Sequence, residues 1–273
     1  MAQTTHITRL GINAPSGSFG PKIVPLTVDG FPRLNLQTLF KLDEATLALG
    51  FKDTQTGIRY GTQGLAIDAN NTEGIASGGG GYRTKGVRSI QGPPINITLP
   101  WTVIYTFTKT VPANVASSGR VNMTVGSPGV AGVYTFCQGV NDPTVLDGDM
   151  AVGGQYKSAA GLDFMTGIGA PYIGKLGRSF TESVSYNGSN QLTHRIYRGG
   201  LMAKSTTAVV EADLDGAGST PIQTVSFGCN HLTIANGEDT FDVCGIYDRD
   251  INDDEFIKWG VAGQAWSVAR GRS

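Results

Sequence analysis

The chain has 273 residues, 39 of them glycine, with 16% charged residues and a net charge of −1. That length allows one large sandwich or two smaller domains. A near-neutral chain without a basic block excludes a general nucleic-acid binder, which needs a positive stripe along the phosphates, and no apolar run approaches the roughly 18 residues of a membrane span.

Glycine stands at about twice its usual share of roughly 7%. Thr, Ser and Asn are frequent, and the formers of long helices are few. Such a composition points to many short strands joined by turns.

Residues 1–30 mix Pro, Gly and Ser with isolated apolar residues and hold no sustained period. The opening lacks a signal-peptide core, so synthesis in a cytoplasm is expected. Two readings stand for this stretch. One is a frayed tail. The other is an extended arm that orders on a partner through Ile12, Phe19, Ile23, Val24 and Leu26.

From Phe31 to Phe51 the first part accommodates one or two helical turns, and ATLALGF reads as a strand. DTQTG at Asp53–Gly57 is a turn. Residues 66–92 are mostly small, with four glycines at Gly78–Gly81. No Gly-Lys-Ser/Thr ending or helix follows them, so a loop is favoured over a phosphate cradle.

Trp101 to Thr110 gives the clearest strand, with Trp101, Val103, Tyr105 and Phe107 alternating with Thr and Ile. Successive strand side chains face opposite ways, so the bulky set predicts a buried face. A sugar-stacking platform is the other reading of those aromatics. Arg120–Val125 and Gly132–Gln138 form the next hairpin, with SPG at its turn. Residues 141–154 are polar and acidic.

Ser179–Tyr186, an Asn-Gly-Ser-Asn turn and Thr193–Tyr197 read as a further hairpin. A turn at Arg198–Gly200 leads to Leu201–Lys204, and Thr206–Pro221 reads as a loop or edge excursion. Two strand patterns, Thr224–Cys229 and Phe241–Tyr247, flank a polar loop. A single helical turn follows. Asn252 as N-cap and Glu255 three residues on form a capping box, with Ile251 and Phe256 as a hydrophobic staple. Residues 261–273 read as a loosely held tail.

The order of these elements resembles the laminin-G-like or concanavalin-like jelly-roll domains. The likeness rests on WTVIYTFTK, on the hairpin through Tyr186-Asn187-Gly188 and Arg195–Leu201, and on the closing strand with Asp253–Ile257. It covers roughly Leu34 to Trp259, with Thr206–Pro221 outside the pattern. The resemblance implies an all-β, two-sheet antiparallel jelly-roll sandwich with an extended N-terminal arm and a short C-terminal helical turn. The division is 1–30 for the arm, 31–260 for the jelly roll and 261–273 for the tail. Domains of this kind behind a Pro/Gly-rich arm also resemble bacteriophage capsid-decoration, head-fibre and tail-fibre proteins, an analogy of fold and composition.

The expectation drawn from this is a non-enzymatic virion structural protein, made in the host cytoplasm. It would dock on capsid or tail proteins through its arm and loops, as a homo-oligomer. The alternative is a lectin-like module that binds surface glycans, with Tyr82, Tyr156 and Tyr172 in Gly-rich loops as stacking platforms. A third reading is a glycoside hydrolase. Glu211, Asp213 and Asp215 would share one strand face, but a glycine run follows at once and no aromatic wall adjoins them, so an acidic loop is favoured.

No cofactor is expected. Calcium at the rim, as the resemblance suggests, would call on Asp142, Asp147 and Asp149 or on Asp213 and Asp215. The three cysteines, Cys137, Cys229 and Cys244, favour reduced thiols, although Cys229 and Cys244 sit in neighbouring strand patterns and could meet. His6, His194 and His231 are too scattered for a zinc site. Cys229 and His231 would share a strand face, which as a catalytic pair is weaker than an ordinary rim histidine.

Overall fold

A computed structural model describes residues 27–28, 30–42, 51–63, 74–75, 81–85, 89–111, 120–127, 131–139, 150–158, 161–168, 177–209, 214, 221–228 and 238–272. The first strands are β1 (Thr27–Val28), β2 (Phe31–Pro32), β3 (Leu36–Lys41), β4 (Phe51–Lys52), β5 (Arg59–Tyr60), β6 (Thr62–Gln63) and β7 (Gly74–Ile75). Then come β8 (Tyr82–Lys85), β9 (Ser89–Asn96), β10 (Trp101–Val111), β11 (Arg120–Ser127), β12 (Ala131–Gly139), β13 (Met150–Ser158) and β14 (Gly161–Ile168). The last are β15 (Ser179–Tyr186), β16 (Gln191–Arg198), β17 (Leu201–Ala208), β18 (Ile222–Gly228) and β19 (Glu238–Tyr247), followed by helix α1 (Asp253–Ala269).

The chain forms the two-sheet antiparallel sandwich that its strand pattern predicts. The first sheet runs β17-β16-β15-β10-β19-β8-β7, and the second runs β14-β13-β12-β11-β18-β9-β6. Strand β3 shares the free side of β19 with β8, taking the half from Val243 to Tyr247 while β8 takes Glu238 to Phe241.

Strand β10 is central because its alternation suits two different neighbours. Val103, Tyr105 and Phe107 point between the sheets and meet Phe180, Val184, Phe227 and Phe241 in one core. Phe107 lies 4.4 Å from Phe180 and 5.4 Å from Phe241, ring centre to ring centre. Each such side chain, fully buried, contributes about 1.5–3 kcal/mol. Ile104 points the other way and joins Phe31, Val243, Tyr247, Phe256 and Trp259 in a second core under α1.

The helix begins as its sequence predicts. The Asn252 side chain accepts from the Glu255 N–H at 2.9 Å, and Glu255 accepts from the Asn252 N–H at 3.2 Å. It does not stop after one turn. It has 17 residues and ends at Ala269, so 261–269 are helical where a loose tail was expected. The reason is close packing. A Cβ at Gly260 would strike the Tyr197 ring, and one at Gly263 would strike Thr106. Two helix-weakening residues are therefore what lets α1 lie on the sheet.

One further expectation is corrected. Leu36–Lys41 is a strand, not a helical turn. Pairing with β19 buries Leu36 and Leu39 under the helix and Phe40 between the sheets, which outweighs the helical preference of leucine. The threonine face of β10 is as buried as its aromatic face, because α1 covers it. The acidic stretch 141–154 ends inside β13, and β17 runs on through Thr206 to Ala208 as an edge strand.

Candidate functional site

Three polar or concave features stand out among the described residues. The first lies inside the sandwich. Glu182 continues the inward row of Phe180 and Val184, so its carboxylate is fully buried. It accepts from the Tyr105 hydroxyl and, at 3.1 Å, from Asn122 Nδ2, and it lies 2.6 Å from His194 Nε2. Tyr105 also meets Thr135 Oγ1 at 2.6 Å. Every member is at zero exposure, so no substrate reaches this cluster as it stands.

The second is an open depression of about 460 Å³ beside the start of α1, lined by Arg195 and residues 250–254. Two of its charges, Arg195 and Asp253, are spent on each other. Arg195 Nε donates to Asp253 Oδ1 at 2.9 Å and its NH1 to Ser185 Oγ at 2.7 Å, while Lys204 Nζ donates to Asp253 Oδ2 at 2.5 Å. Burial pushes the Asp253 carboxyl up, but these two cations more than offset it and hold it below its usual range.

The third is a groove of about 350 Å³ at the end of the sandwich, where the sheets part. Its floor and walls come from distant segments: Gln37 and Thr38 of β3, Tyr60 of β5, Pro93 to Asn96 of β9, Trp101, and Ile246 to Asp248. The two prolines explain the opening. Proline has no N–H to give a ladder. Accordingly β9 and β18 shift register between Thr224 and Ser226, opposite Pro94 and Gln91.

Asp53 places the aromatic wall. Its buried carboxylate accepts from the N–H groups of Leu39 at 2.9 Å, Gln55 at 2.9 Å and Thr56 at 3.2 Å, and from Thr56 Oγ1 at 2.5 Å. This ties the turn predicted at Asp53–Gly57 down onto β3. The β4–β5 hairpin then holds Tyr60 edge-on to Phe40, with ring centres 5.6 Å apart. Tyr60 remains half-buried. Burial, and after it the Asp53 charge, push its hydroxyl above the ordinary range, so it stays a neutral phenol.

Around this wall the surface is apolar. Leu99 lines the groove at 57% exposure. Ile58, two residues before Tyr60, and Ile222, paired with Asn96, are each 52% exposed. Polar groups sit at the edge. Gln37 Nε2 donates to Asp248 Oδ2 at 2.9 Å. Asn96 Oδ1 accepts from the Thr98 N–H at 3.1 Å and its hydroxyl at 2.9 Å, so the amide nitrogen is the end it can offer a ligand. An apolar wall with a few convergent polar groups, near the lower end of the roughly 300–1,000 Å³ range, is the usual form of a small-molecule site.

The sequence candidates fall elsewhere. Tyr82 is 1% exposed in β8 and belongs to the core between the sheets, so it is no stacking platform. Tyr156 lies on β13 opposite Val133, and nothing is described of its side chain. Tyr172, the arm residues Ile12, Phe19, Ile23, Val24 and Leu26, and the acidic candidates Asp142, Asp147, Asp149, Glu211, Asp213 and Asp215 lie outside the described residues, as do Cys229 and His231. Cys244 is a free, buried thiol, pushed well up by burial and then by Asp242. No metal-binding group of three or more occurs among the described residues. Sequence reasoning missed Tyr60 and Asp248. A signal did exist in the adjacent prolines, Pro93 and Pro94, which mark where the β9–β18 ladder shifts register.

No family model matches the chain, and no curated protein matches it. Solved structures do. A Trypanosoma rangeli sialidase in complex with 2,3-difluoro-KDN is similar at a TM-score of 0.55 and 14% identity, over 88% of this chain and 35% of that one. The same organism's sialidase in complex with sialic acid gives 0.53 and 12%, over 89% and 35%. The binding domain of botulinum neurotoxin DC in complex with SialylT gives 0.51 and 9%, over 86% and 52%.

At such identities the likeness is one of fold. The chain spans about a third of each sialidase and about half of the neurotoxin domain. The expectation of a non-enzyme is corrected to this extent: solved structures of similar fold include enzymes, the sialidases, of which the chain matches about a third. Neither the described structure nor these likenesses lend support to a virion role.

Proposed function

We propose that this chain is a carbohydrate-recognising β-sandwich and that the groove at the parted end of its sheets is the sugar site. The observation that carries the reading is the half-buried Tyr60 ring, braced on Phe40 and flanked by Pro93, Pro94 and Leu99, with Gln37, Asn96 and Asp248 at its edge. A pyranose has an apolar face for such a ring and a circle of hydroxyls for such an edge. An aromatic ring carries its contact area on few rotatable bonds, so little ordering entropy opposes binding. Solved structures of similar fold are complexes with sialic acid and with SialylT, which favours sugar over peptide as the ligand class.

The test is a glycan array followed by calorimetry on the best ligands. Tyr60→Ala should weaken binding at least tenfold while leaving the circular-dichroism spectrum unchanged, and Tyr60→Phe should retain most of it. If Tyr60→Ala binds as the parent does, the groove is the wrong site. An array without a single retained glycan would remove the carbohydrate reading itself.

A further inference from the structure

We infer that the groove selects neutral glycans and discriminates against those carrying a carboxylate, such as sialylated or uronic-acid chains. The inference rests on the carbohydrate reading above and adds the charge of the ligand to it.

Of the described residues lining the groove, none is Lys, Arg or His, and one carries a carboxylate, Asp248. Asp248 is exposed at the groove edge. A second carboxylate, Asp53, lies fully buried behind the hairpin that carries Tyr60. Its charge already bears on the nearby Tyr60 hydroxyl, raising its proton affinity.

The nearby cations lie outside the groove lining, and Arg249, whose charge interacts with that of Asp248, is engaged elsewhere. Arg249 is forked onto Glu255 at 2.7 and 2.5 Å, donates to Leu34 O at 3.0 Å and lies over the Tyr247 ring. Lys52 and Arg59 are backbone neighbours across the β4–β5 ladder, and neither lines the groove. Arg59 adjoins Tyr60 in its strand, and adjacent strand side chains point to opposite faces. A ligand carboxylate entering the groove would therefore meet the Asp248 carboxylate and no cation among the described lining residues. Like-charge juxtaposition of this kind is a standard device for rejecting wrong ligands.

The polar edge suits hydroxyls instead. One oxygen of Asp248 is engaged by Gln37, which leaves the other to accept from a sugar O–H in a charge-assisted bond. The Asn96 amide nitrogen can donate to a neighbouring ring or hydroxyl oxygen. Alternating donors and acceptors are what a neutral polyol presents.

The experiment uses the full chain and matched pairs: lactose and N-acetyllactosamine against their sialylated forms, and a neutral galactan fragment against the galacturonan fragment of equal length. The expected result is binding of neutral members with at least tenfold weaker binding of the acidic partner. That ratio should shrink in 1 M salt, where the screening length falls to about 3 Å, and in Asp248→Asn. Binding of acidic members as tightly as neutral ones, lost in Tyr60→Ala, would overturn the selectivity and leave the groove as a sugar site. Selectivity for neutral glycans that survives in Tyr60→Ala would place the site elsewhere and overturn both readings. So would the absence of binding to either class.

Discussion

At the centre of the first sheet, in β10 and β15, both faces are closed to water, yet by opposite chemistry. Between the sheets stand Val103, Tyr105, Phe107, Phe180 and Val184, an aromatic and branched surface. Under the helix stand Thr102, Thr106, Thr181, Ser183 and Ser185, all buried to within 1%. Thr106 and Thr181 share a hydrogen bond of 2.7 Å, and Ser179 donates to Ser267 at 2.8 Å. Ser267 in turn donates to Asp242 Oδ2 at 2.6 Å, which Arg272 also meets. Asp242 reaches the helix because β10 and β19 slip register between Thr106 and Phe107, so that one residue bulges outward.

The contrast shows that burial need not mean apolar packing. Large side chains keep the sheets apart and fill the space between them. Small hydroxyl side chains let a glycine-bearing helix approach closely, and several of their polar atoms find partners there: Thr106 with Thr181, Ser179 with Ser267, and Thr102 with the Arg249 carbonyl.

The inner face has one exception to its apolar character, and that exception offers the largest test of the contrast. Glu182→Ala should cost about 3–5 kcal/mol, because it strands His194 and weakens the Tyr105 and Asn122 contacts in a site without water. Urea unfolding measures it. A loss below about 1 kcal/mol would mean that the cluster is solvated and that the inner face is not sealed.

The outer face should respond to bulk rather than to lost charge. Gly263→Ala places a methyl group against Thr106 and should cost about 1–3 kcal/mol, despite the gain of roughly 1 kcal/mol in helix propensity. A thermal melt that rises in this variant would show that the helix can lift from the sheet at no penalty.

The smallest effects belong to the helix start, at the exposed margin of the same face. Asn252→Ala should remove about 1 kcal/mol. The Arg249 hydrogen bonds hold Glu255 below its ordinary value of 4.5, with burial opposing them. Asp253 is likewise held below 3.8, its two cations outweighing its burial. Carboxylates with lowered folded values contribute stability that is complete above the unfolded values and is lost as pH falls through the folded ones. Melts should therefore be level from neutral pH down to about pH 5 and decline below it, and Glu255→Gln should flatten that decline. An identical slope in the variant would assign acid sensitivity to other groups.

Much of the frame was legible beforehand. The β15–β16 hairpin is announced by its Asn-Gly-Ser-Asn turn, and Asn187 Oδ1 does accept from the N–H groups of Ser189, Asn190 and Gln191. Glu182 could have been placed inward from its phase with Phe180 and Val184, although nothing local pairs it with His194. The groove was harder to see. Tyr60 in GIRYG looks like any turn-flanking tyrosine, while Tyr82, beside four glycines, looks exposed and is buried.

Side-chain alternation, turn residues and the Asn252–Glu255 cap are short-range signals, and they determined the strands, the hairpins and the start of the helix. Only the tertiary structure decided that residues 261–269 continue that helix, since Gly260 and Gly263 weaken it in isolation and serve it only against Tyr197 and Thr106. The tertiary structure likewise decided which tyrosine is accessible. The groove joins residues 37–38, 56–60, 93–101 and 246–248, and contacts across such separations depend on which strands pair, a choice made by burying the whole of both faces at once and not by any one segment.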